Sequence, residues 1–309
     1  MEEWEEQEKV RAVAGYLFVT FTGESEDGEQ VYLALSEDGF FWHDLNDGKP
    51  VLRSGIGEKG VRDPFLLRSH DGSRYYLIAT NLRIASQKSW EDARSKGSRS
   101  IIVWESEDLL HWSEPRRCML GTEEAGCVWA PEAVYAPEKE AYMVFWSSFY
   151  GRKHQICRAY TRDFRVFEEQ GIYMEQTYDV IDMTIVRDKE KYYRFYKNEQ
   201  EKYLCVDCGS DLEGSFTPVE VSGLRDKKGV EGPALFQLKE GGWCLLVDQF
   251  AVNGGYVPLF CESLSEGRFQ SMQKGQYDMG TLKKRHGSVL PLNEKEYRAV
   301  EETYGRQRK

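Results

Sequence analysis

Apolar residues occur along this chain in short runs that alternate with polar residues, which is the periodicity of β-strands. The runs are rich in Val, Ile, Tyr and Phe, side chains that pack well on a pleated, half-buried surface. This pattern predicts strands at residues 16–22, 31–35, 75–80, 101–104, 142–147, 192–196 and 243–249. The chain is therefore expected to belong to the all-β class.

Helical patterns are confined to three places. Two of them are the N-terminal extension, residues 1–14, and a short piece within 86–96. The third is a C-terminal helix within 293–309, predicted to run from 294 to 304 with Asn293 as its N-cap and Gly305 as its stop. Short helices are therefore expected at the termini and in one insertion, and not in the core.

Two sequence patterns recur five times each and in step with one another, as expected of a repeat architecture. The first is a turn in which a small polar residue and an acid precede an aromatic residue, as in Ser36, Asp38 and Trp42. Further copies start at 106 and 161, and two weaker copies, the last without the acid, start at 209 and 263. In such a turn the polar side chains cap the backbone while the ring returns to the core. The second pattern consists of leading segments at 63–67, 130–134, 182–186, 231–235 and 286–290. Together they predict five copies of a four-stranded unit, with an insertion at 81–100.

The order of the two patterns predicts how the repeats close. The first turn has no leading segment before it, and the last leading segment has no turn after it. If residues 286–292 supply the inner strand of the blade that contains 16–44, the chain ends join and no sheet edge stays open. The predicted fold is a single five-bladed β-propeller domain over residues 1–309, closed by a C-terminal inner strand.

Composition and charge narrow the range of partners. Apolar residues make up 40% and charged residues 30% of the chain, and the mean hydropathy is -0.62, as in folded water-soluble proteins. No apolar run approaches the roughly 20 residues of a membrane-spanning helix. The net charge of -11 disfavours nucleic acid and anionic lipid as partners. Seven cysteines, an odd number, indicate reduced thiols, and the acidic start is unlike a signal peptide, so a cytoplasmic location is expected.

Three leading segments place a carboxylate at the same end of the central channel, namely Asp63, Asp182 and Glu231. Converging carboxylates raise one another's proton affinity, so structures seldom keep them without a use. One use is general acid and base chemistry, as glycoside hydrolysis requires. The alternative is a wet channel that tolerates acids and holds a cation.

The order of these segments resembles glycoside hydrolase family 43, five-bladed propellers that trim plant polysaccharides containing arabinose and xylose. The resemblance covers residues 16–292 and is carried by Asp63-Pro, Trp129-Ala-Pro-Glu132, Ile181-Asp182, Val230-Glu231-Gly-Pro and Arg285-His286-Gly. It implies an inverting hydrolase in which Asp63 is the general base and Glu231 the general acid, while Asp182 orients Glu231 and raises its pKa. Glu132 departs from the family, whose members often have Asp there, and is expected to be structural.

Strand direction predicts further pocket residues, because the second strand of each blade returns to the active face. Aromatic rings can stack on sugars and polar groups can bind hydroxyls, although core packing or solvation competes as an interpretation for each residue. The predicted substrate-binding residues are Asn81, Arg83, Trp129, Trp146, Phe149, Lys197, Gln249 and His286.

The histidines divide into one channel residue and four others. His286 would lie near the channel axis, where the resemblance suggests a structural calcium ion, although imidazole is a poor calcium ligand compared with oxygen. No cofactor is required for the chemistry. The remaining histidines, His43, His70, His111 and His154, are expected at the surface.

Loops decide the substrate in such a family. The insertion at 81–100 and the loop at 251–258 can wall off one end of the site, which favours an exo-acting α-L-arabinofuranosidase that trims small oligosaccharides. A β-xylosidase is next, because the two sugars present similar hydroxyls, and endo-arabinanase or exo-galactanase activity stays open.

A non-catalytic sugar- or protein-binding propeller would not need three carboxylates. A sialidase-type site needs an arginine cluster, and only Arg62 and Arg285 adjoin the leading positions. The oligomeric state is left open.

Overall fold

The structure, a computed structural model, describes residues 12–305. In chain order its strands are β1 (Gly15–Thr20), β2 (Tyr32–Ser36), β3 (His43–Asp44), β4 (Val61–Arg68), β5 (Tyr75–Asn81), β6 (Ser100–Ser106), β7 (Arg116–Met119), β8 (Trp129–Ala136), β9 (Ala141–Phe149), β10 (His154–Thr161), β11 (Glu168–Met174), β12 (Val180–Asp188), β13 (Lys191–Asn198), β14 (Tyr203–Gly209), β15 (Thr217–Pro218), β16 (Glu231–Gln237), β17 (Trp243–Asp248), β18 (Tyr256–Cys261), β19 (Gln270–Ser271) and β20 (Ser288–Leu292).

These strands form five four-stranded antiparallel sheets. Blade one combines β20 with β1, β2 and β3, and blades two to five are β4–β7, β8–β11, β12–β15 and β16–β19. The inner strands β4, β8, β12, β16 and β20 each contact the next in this order, and β20 contacts β4. The predicted all-β class and five-bladed propeller are therefore confirmed.

Two α-helices lie within residues 12–305, α1 (Trp90–Ser95) and α2 (Glu294–Tyr304). Helix α1 falls inside the segment predicted as helical, and α2 has the predicted bounds. Asn293 caps α2 in a reciprocal capping box with Glu296. Short 3-10 turns occupy Asn46–Gly48, Pro137–Lys139 and Phe250–Val252. Of the helix predicted at 1–14, residues 1–11 lie outside the described residues. Residues 12–14 are described and are not helical.

The ring closes through blade one, as the order of the repeats predicts. Strand β20 pairs antiparallel with β1, with Gly15 opposite Leu292 and Val19 opposite Ser288. A Cβ at Gly15 would lie 2.4 Å from the ring of Tyr297, so glycine lets α2 pack directly on this seam. The predicted C-terminal closing strand is confirmed.

Helix α2 also fastens blade one to blade two. Glu296 accepts hydrogen bonds from Arg68 and from the Tyr75 hydroxyl, both at 2.6 Å. The Tyr304 hydroxyl donates to the carbonyl of Leu110 at 2.9 Å. The helix therefore covers the joint at which the two ends of the propeller meet.

The recurrent turns have a common hydrogen-bond pattern. In the first copy, Ser36 Oγ accepts from the Gly39 N–H at 2.9 Å and Asp38 Oδ1 accepts from the Phe40 N–H at 2.8 Å. The indole of Trp42 is buried and donates to the Gly39 carbonyl at 3.1 Å. The copy that begins at residue 106 repeats each of these bonds. The Ser-x-Asp signature thus encodes a capped hairpin turn with its aromatic ring in the core.

All seven cysteines are free. Within residues 12–305, no helix is long and apolar enough to cross a membrane.

Ending the chain at Lys284 should abolish soluble folding. Strand β1 would lose its inner hydrogen-bonding partner, and Leu290 and Leu292 would leave the core. A chain ending at Gly305 keeps β20 and α2 and serves as the matched control, which should remain soluble. Soluble yield and thermal unfolding followed by circular dichroism measure the difference. A folded, cooperative protein that ends at Lys284 would show that closure is not required.

Candidate active site

The inner strands of blades two to five each carry a β-bulge at the same level of the channel. Their pairing with the second strand slips at residues 62–65, 129–132, 181–184 and 231–234. The first bulged residue has a left-handed backbone in every case, at Asp63, Ala130, Asp182 and Gly232, with φ between 50° and 56°. Non-glycine residues seldom adopt this conformation, and bulges of this kind re-aim side chains beside active sites.

Glu231 does not occupy the bulge position. It is the last paired residue before the bulge, opposite Asp248, just as Arg62 is opposite Thr80 in blade two. The equivalence of Glu231 with Asp63 in the sequence repeat is therefore wrong by one residue. Gly232 holds the equivalent position, and a Cβ there would lie 2.7 Å from the ring of His286.

Asp63 is held by neighbours from three blades. Its Oδ2 accepts a hydrogen bond from the Thr80 hydroxyl at 2.8 Å. The same hydroxyl oxygen accepts from the Ala130 N–H at 2.8 Å, which links blade two to blade three. Nδ1 of His286, in blade one, lies 3.5 Å from Asp63 Oδ1. The Asp63 carboxylate is thereby held in place, with its side chain 15% exposed.

Asp182 is the most deeply enclosed of the three carboxylates. Its Oδ2 accepts from the Gly232 N–H at 3.1 Å, and its Oδ1 lies 3.8 Å from Nδ1 of His286. Burial is the largest of the effects that together raise the pKa of Asp182 to about 7. The charges of Glu231 and Asp63 also raise this pKa, whereas His286 and Lys197 lower it.

Glu231 lies between two cations. Lys197 Nζ is 2.6 Å from its Oε2, and Arg285 Nη2 is 3.5 Å from its Oε1. Burial raises the pKa of Glu231, but Lys197, Arg285 and His286 together outweigh burial, so this pKa is below its ordinary value. In the substrate-free site these cations outweigh burial, and the raising of this pKa by Asp182 that the family resemblance implies stays a prediction.

Arg285 is itself held by Asp248. Its Nε lies 2.5 Å from Asp248 Oδ2, and the Asp248 side chain is fully buried. Burial raises the pKa of Asp248, and the guanidinium opposes this shift. Asp248 therefore holds the guanidinium group of Arg285 in position beside Glu231.

His286 lies between Asp63 and Asp182, as the repeat predicts, and packs against Gly232. Calcium prefers six to eight oxygen ligands. Across residues 12–305, no group of three or more His, Cys, Asp or Glu side chains is placed to hold a metal ion. The residues present therefore do not fit a calcium ion ligated directly by His286 and its neighbours.

Comparison with known proteins identifies the family of the chain. Residues 11–298 match the model of a family related to glycosyl hydrolase family 43, described as a probable glycosyl hydrolase domain. The chain belongs to this family. It is 35% identical over 219 residues to an α-L-arabinofuranosidase of Bifidobacterium longum subsp. longum, a match that covers 63% of this chain and 20% of the length of that protein.

Two crystal structures show the same fold in other glycoside hydrolases. A thermostable family-43 glycoside hydrolase superposes with a TM-score of 0.53 at 18% identity, covering 72% of this chain and 74% of that one. An exo-β-1,3-galactanase of Phanerochaete chrysosporium superposes with a TM-score of 0.54 at 13% identity, covering 74% of this chain and 51% of that one. The predicted family and the glycoside hydrolase class are confirmed, while the fold is common to different activities.

Three predicted sugar-binding residues of this glycoside hydrolase are structural instead. Trp146 is 2% exposed and packs in the core between blades two and three. Asn81 is buried and donates to the hydroxyl of Ser98, which ties the insertion to its blade. Phe149 is buried, with the guanidinium of Arg94 4.4 Å from its ring centre. These positions follow from strand direction, but successive strand residues point to opposite faces, and these three side chains pack inside the fold.

The other predicted substrate contacts differ in their surroundings. Trp129, Arg83 and Gln249 are half-buried, and their contact with substrate stays a prediction. Lys197 is in the site, but its amine is paired with Glu231. His286 is buried between two of the carboxylates.

Trp90 and Arg62 form a cluster with Trp129, and the sequence analysis did not select them as ligands. Trp90 is on α1, is 48% exposed, and meets Trp129 edge to face at 6.1 Å. The guanidinium of Arg62 lies 5.0 Å from the Trp90 ring and is held by buried Glu29 at 2.9 Å. A sequence signal for Trp90 was available. It is an aromatic residue inside the insertion that borders the predicted pocket.

His154 is buried, so its predicted surface position is wrong. Its Nδ1 lies 3.0 Å from Asp179 Oδ1, and its ring packs 5.3 Å from that of Trp129. Burial lowers the pKa of His154, and Asp179 opposes this shift. This histidine supports the back of Trp129. The other three, His43, His70 and His111, are exposed as predicted.

Glu132, which departs from the family pattern, lies in β8 two residues beyond the bulge position. It is buried, and burial raises its pKa well above the ordinary value. A hydrogen bond with Thr184 opposes this shift, and the charge of Asp182 adds to it. Burial therefore favours the neutral form of the Glu132 carboxyl, consistent with the structural role expected of it.

Replacing Glu132 by Gln should make the protein relatively more stable as pH rises. The wild-type carboxyl keeps its proton when folded and releases it on unfolding above its ordinary pKa, so its stabilising contribution is lost as pH rises towards the folded pKa. Gln keeps the shape and cannot ionise. Thermal unfolding at about pH 5 and pH 8 measures the effect, because packing changes give an offset that does not depend on pH.

Glu138→Gln, on the exposed turn of the same blade, is the matched control and should give the same difference from wild type at both pH values. A constant difference for Glu132→Gln as well would contradict a neutral Glu132.

Proposed function

We propose that this glycoside hydrolase is an exo-acting, inverting α-L-arabinofuranosidase that removes terminal arabinose from small arabinan or arabinoxylan oligosaccharides. The observation that carries the chemistry is the pair of partly accessible carboxylates, Asp63 and Glu231, that the inner strands of blades two and five bring to the channel. Asp63 is bound by a hydroxyl group, whereas Glu231 is bound by two cations. The choice of arabinose is supported by 35% identity with the Bifidobacterium enzyme, of which the match spans 20%.

In this proposal Asp63 is the general base. Its Oδ2 is engaged by the Thr80 hydroxyl, so Oδ1 is the oxygen that accepts a proton from water. The water oxygen bonds to the anomeric carbon while the glycosidic bond breaks on the opposite face of the sugar, which inverts the configuration. No covalent bond between the sugar and the protein is formed.

Glu231 is the general acid. It lies in blade five and Asp63 in blade two, with β20 of blade one between them, so the sugar and the attacking water can separate the two carboxyls. The proton of Glu231 passes to the glycosidic oxygen, which leaves as an alcohol. Asp182 accepts from the Gly232 N–H and so fixes the peptide that follows Glu231.

Exo action is supported by two segments that border the site. Helix α1, in the insertion, brings Trp90 to Trp129 and Arg62. The 3-10 turn Phe250–Val252 places the Phe250 ring 4.0 Å from Lys197 Nζ. Walls on two sides suit a pocket for one terminal sugar better than a groove for a long chain.

A substrate panel followed by proton NMR tests this proposal. Nitrophenyl α-L-arabinofuranoside should be cleaved faster than the xylopyranoside and the galactopyranoside, and the first sugar released should be the inverted anomer. Linear arabinan should yield the single sugar and not shorter chains. Preference for xyloside or galactoside would overturn the sugar assignment, chain-length reduction would overturn exo action, and retention would overturn the mechanism.

Asp63→Asn and Glu231→Gln should each lower kcat by roughly 10²- to 10⁴-fold, because each keeps its shape and loses its proton-transfer role. With a dinitrophenyl glycoside the Glu231 variant should recover much of its rate, since that leaving group departs without a proton. The Asp63 variant should not recover. Initial rates with both substrates give the comparison, and equal recovery of the two variants would mean that the two roles are wrongly assigned.

A further inference from the structure

One buried amine in the site contacts two carboxylates at once. Lys197 Nζ lies 2.6 Å from Glu231 Oε2 and 2.5 Å from Glu199 Oε2, and its side chain is 2% exposed. The Phe250 ring covers the amine from 4.0 Å. Lys197 is paired opposite Ile181, so its backbone position is fixed by the same bulge that turns Asp182 into the channel.

The contact with Glu231 opposes the role of that residue. A general acid must carry a proton when the glycosidic bond breaks, whereas an adjacent ammonium group stabilises the ionised carboxylate. A buried ammonium group cannot be left without a partner either, because an unpaired charge is costly inside a protein. If Glu231 is to take up a proton, Lys197 needs a second carboxylate to hold its charge.

Glu199 meets that requirement. It follows β13, and its side chain is 28% exposed, so solvent reaches this carboxylate while Lys197 is enclosed. Its Oε2 lies 2.5 Å from Nζ, so it can accept the hydrogen bond of the amine when Glu231 is protonated. Lys202 contacts the other oxygen and holds the carboxylate in place.

We propose that Lys197 is a positioning residue that alternates between Glu231 and Glu199, holding the acid ionised in the free enzyme and releasing it for protonation when substrate binds. This inference rests on the proposed function and adds the control of its acid. The proton that Glu231 takes up comes from bulk water and leaves on the departing alcohol. Glu231 is then ionised again, and Lys197 returns to it.

Other charged groups face this pair and stay unchanged in the variants below. Arg285, Asp182, His286 and Asp248 influence Glu231 or are influenced by it. Asp182 also acts on Lys197, and Arg285 is held independently by Asp248. A change at residue 197 or 199 therefore isolates the contribution of the amine.

The test compares the pH profiles of kcat/KM for two variants with expected shifts of opposite sign. In Lys197→Met the cation is lost and Glu231 holds its proton to higher pH, so the basic limb should move up by about one pH unit or more. In Glu199→Gln the amine has Glu231 as its remaining close carboxylate partner, so the limb should move down. Loss of packing alone lowers kcat and moves neither limb.

A matched control is Lys228→Met. Lys228 is an exposed lysine that pairs with Glu201 nearby and does not contact Glu231. The basic limb of the kcat/KM profile of Lys228→Met should coincide with that of the wild type. With a dinitrophenyl glycoside, whose departure needs no proton, the shifts in Lys197→Met and Glu199→Gln should largely vanish.

Carbon-13 NMR of glutamate carboxyls, with Glu231→Gln to identify the resonance, separates this inference from the proposed function. The Glu231 resonance in the substrate-free protein should titrate at higher pH in Lys197→Met and at lower pH in Glu199→Gln. If the enzyme proves inactive on every glycoside, this titration still tests the pair. An unmoved Glu231 titration in Glu199→Gln, a solvent-accessible change that the fold should tolerate, would overturn the inference even if Lys197→Met fails to fold.

Discussion

A β-bulge near the start of the inner strands determines where the groups of the active site lie. In an ordinary strand, consecutive side chains point to opposite faces, so neighbouring residues could not both face the channel. The bulge adds a residue with a left-handed backbone at Asp63 and Asp182 and turns these carboxyls towards the axis. In blade five the same position is Gly232, which makes room for the ring of His286. The same bulge therefore positions a carboxyl group in blades two and four and leaves room for a histidine ring in blade five.

The carboxylates near these bulges are balanced by basic side chains next to them. Three carboxylates converge on the channel, and they are accompanied by Lys197, Arg285 and His286. Removing one member of a buried pair costs about 3–5 kcal/mol, because the other member is left unpaired. Such charges therefore tend to change partners and not to stand alone. The high pKa of Asp182 and the low pKa of Glu231 are two consequences of the same arrangement, since the cations lie beside Glu231.

The sequence predicts most of the fold because each repeat contains a turn and a leading segment that must both be buried in a definite order. The closing strand and the capped turns follow from that order, whereas the bounds of α2 follow from its cap residues, Asn293 and Gly305. The one-residue offset of Glu231 does not, because a bulge moves the register by one without changing the spacing of the repeat. Trp146 and Asn81 have the right strand position, but which face they occupy depends on packing between blades. The pairing of Lys197 with Glu231 joins blades four and five, a contact that repeat spacing cannot reveal.

Closure of the fold and completion of the site are the same event. The strand that closes the ring, β20, is preceded directly by Arg285 and His286, and the Arg285 N–H donates to the Phe21 carbonyl of blade one at 2.9 Å. Until β20 pairs with β1, Glu231 lacks one of its two cations and the two aspartates lack the imidazole between them. The carboxylates of blades two, four and five would then face one another with less compensating charge, a state that repulsion opposes. Closure of the propeller brings Arg285 and His286 to the carboxylates. The resulting attraction between opposite charges in turn stabilises the closed propeller.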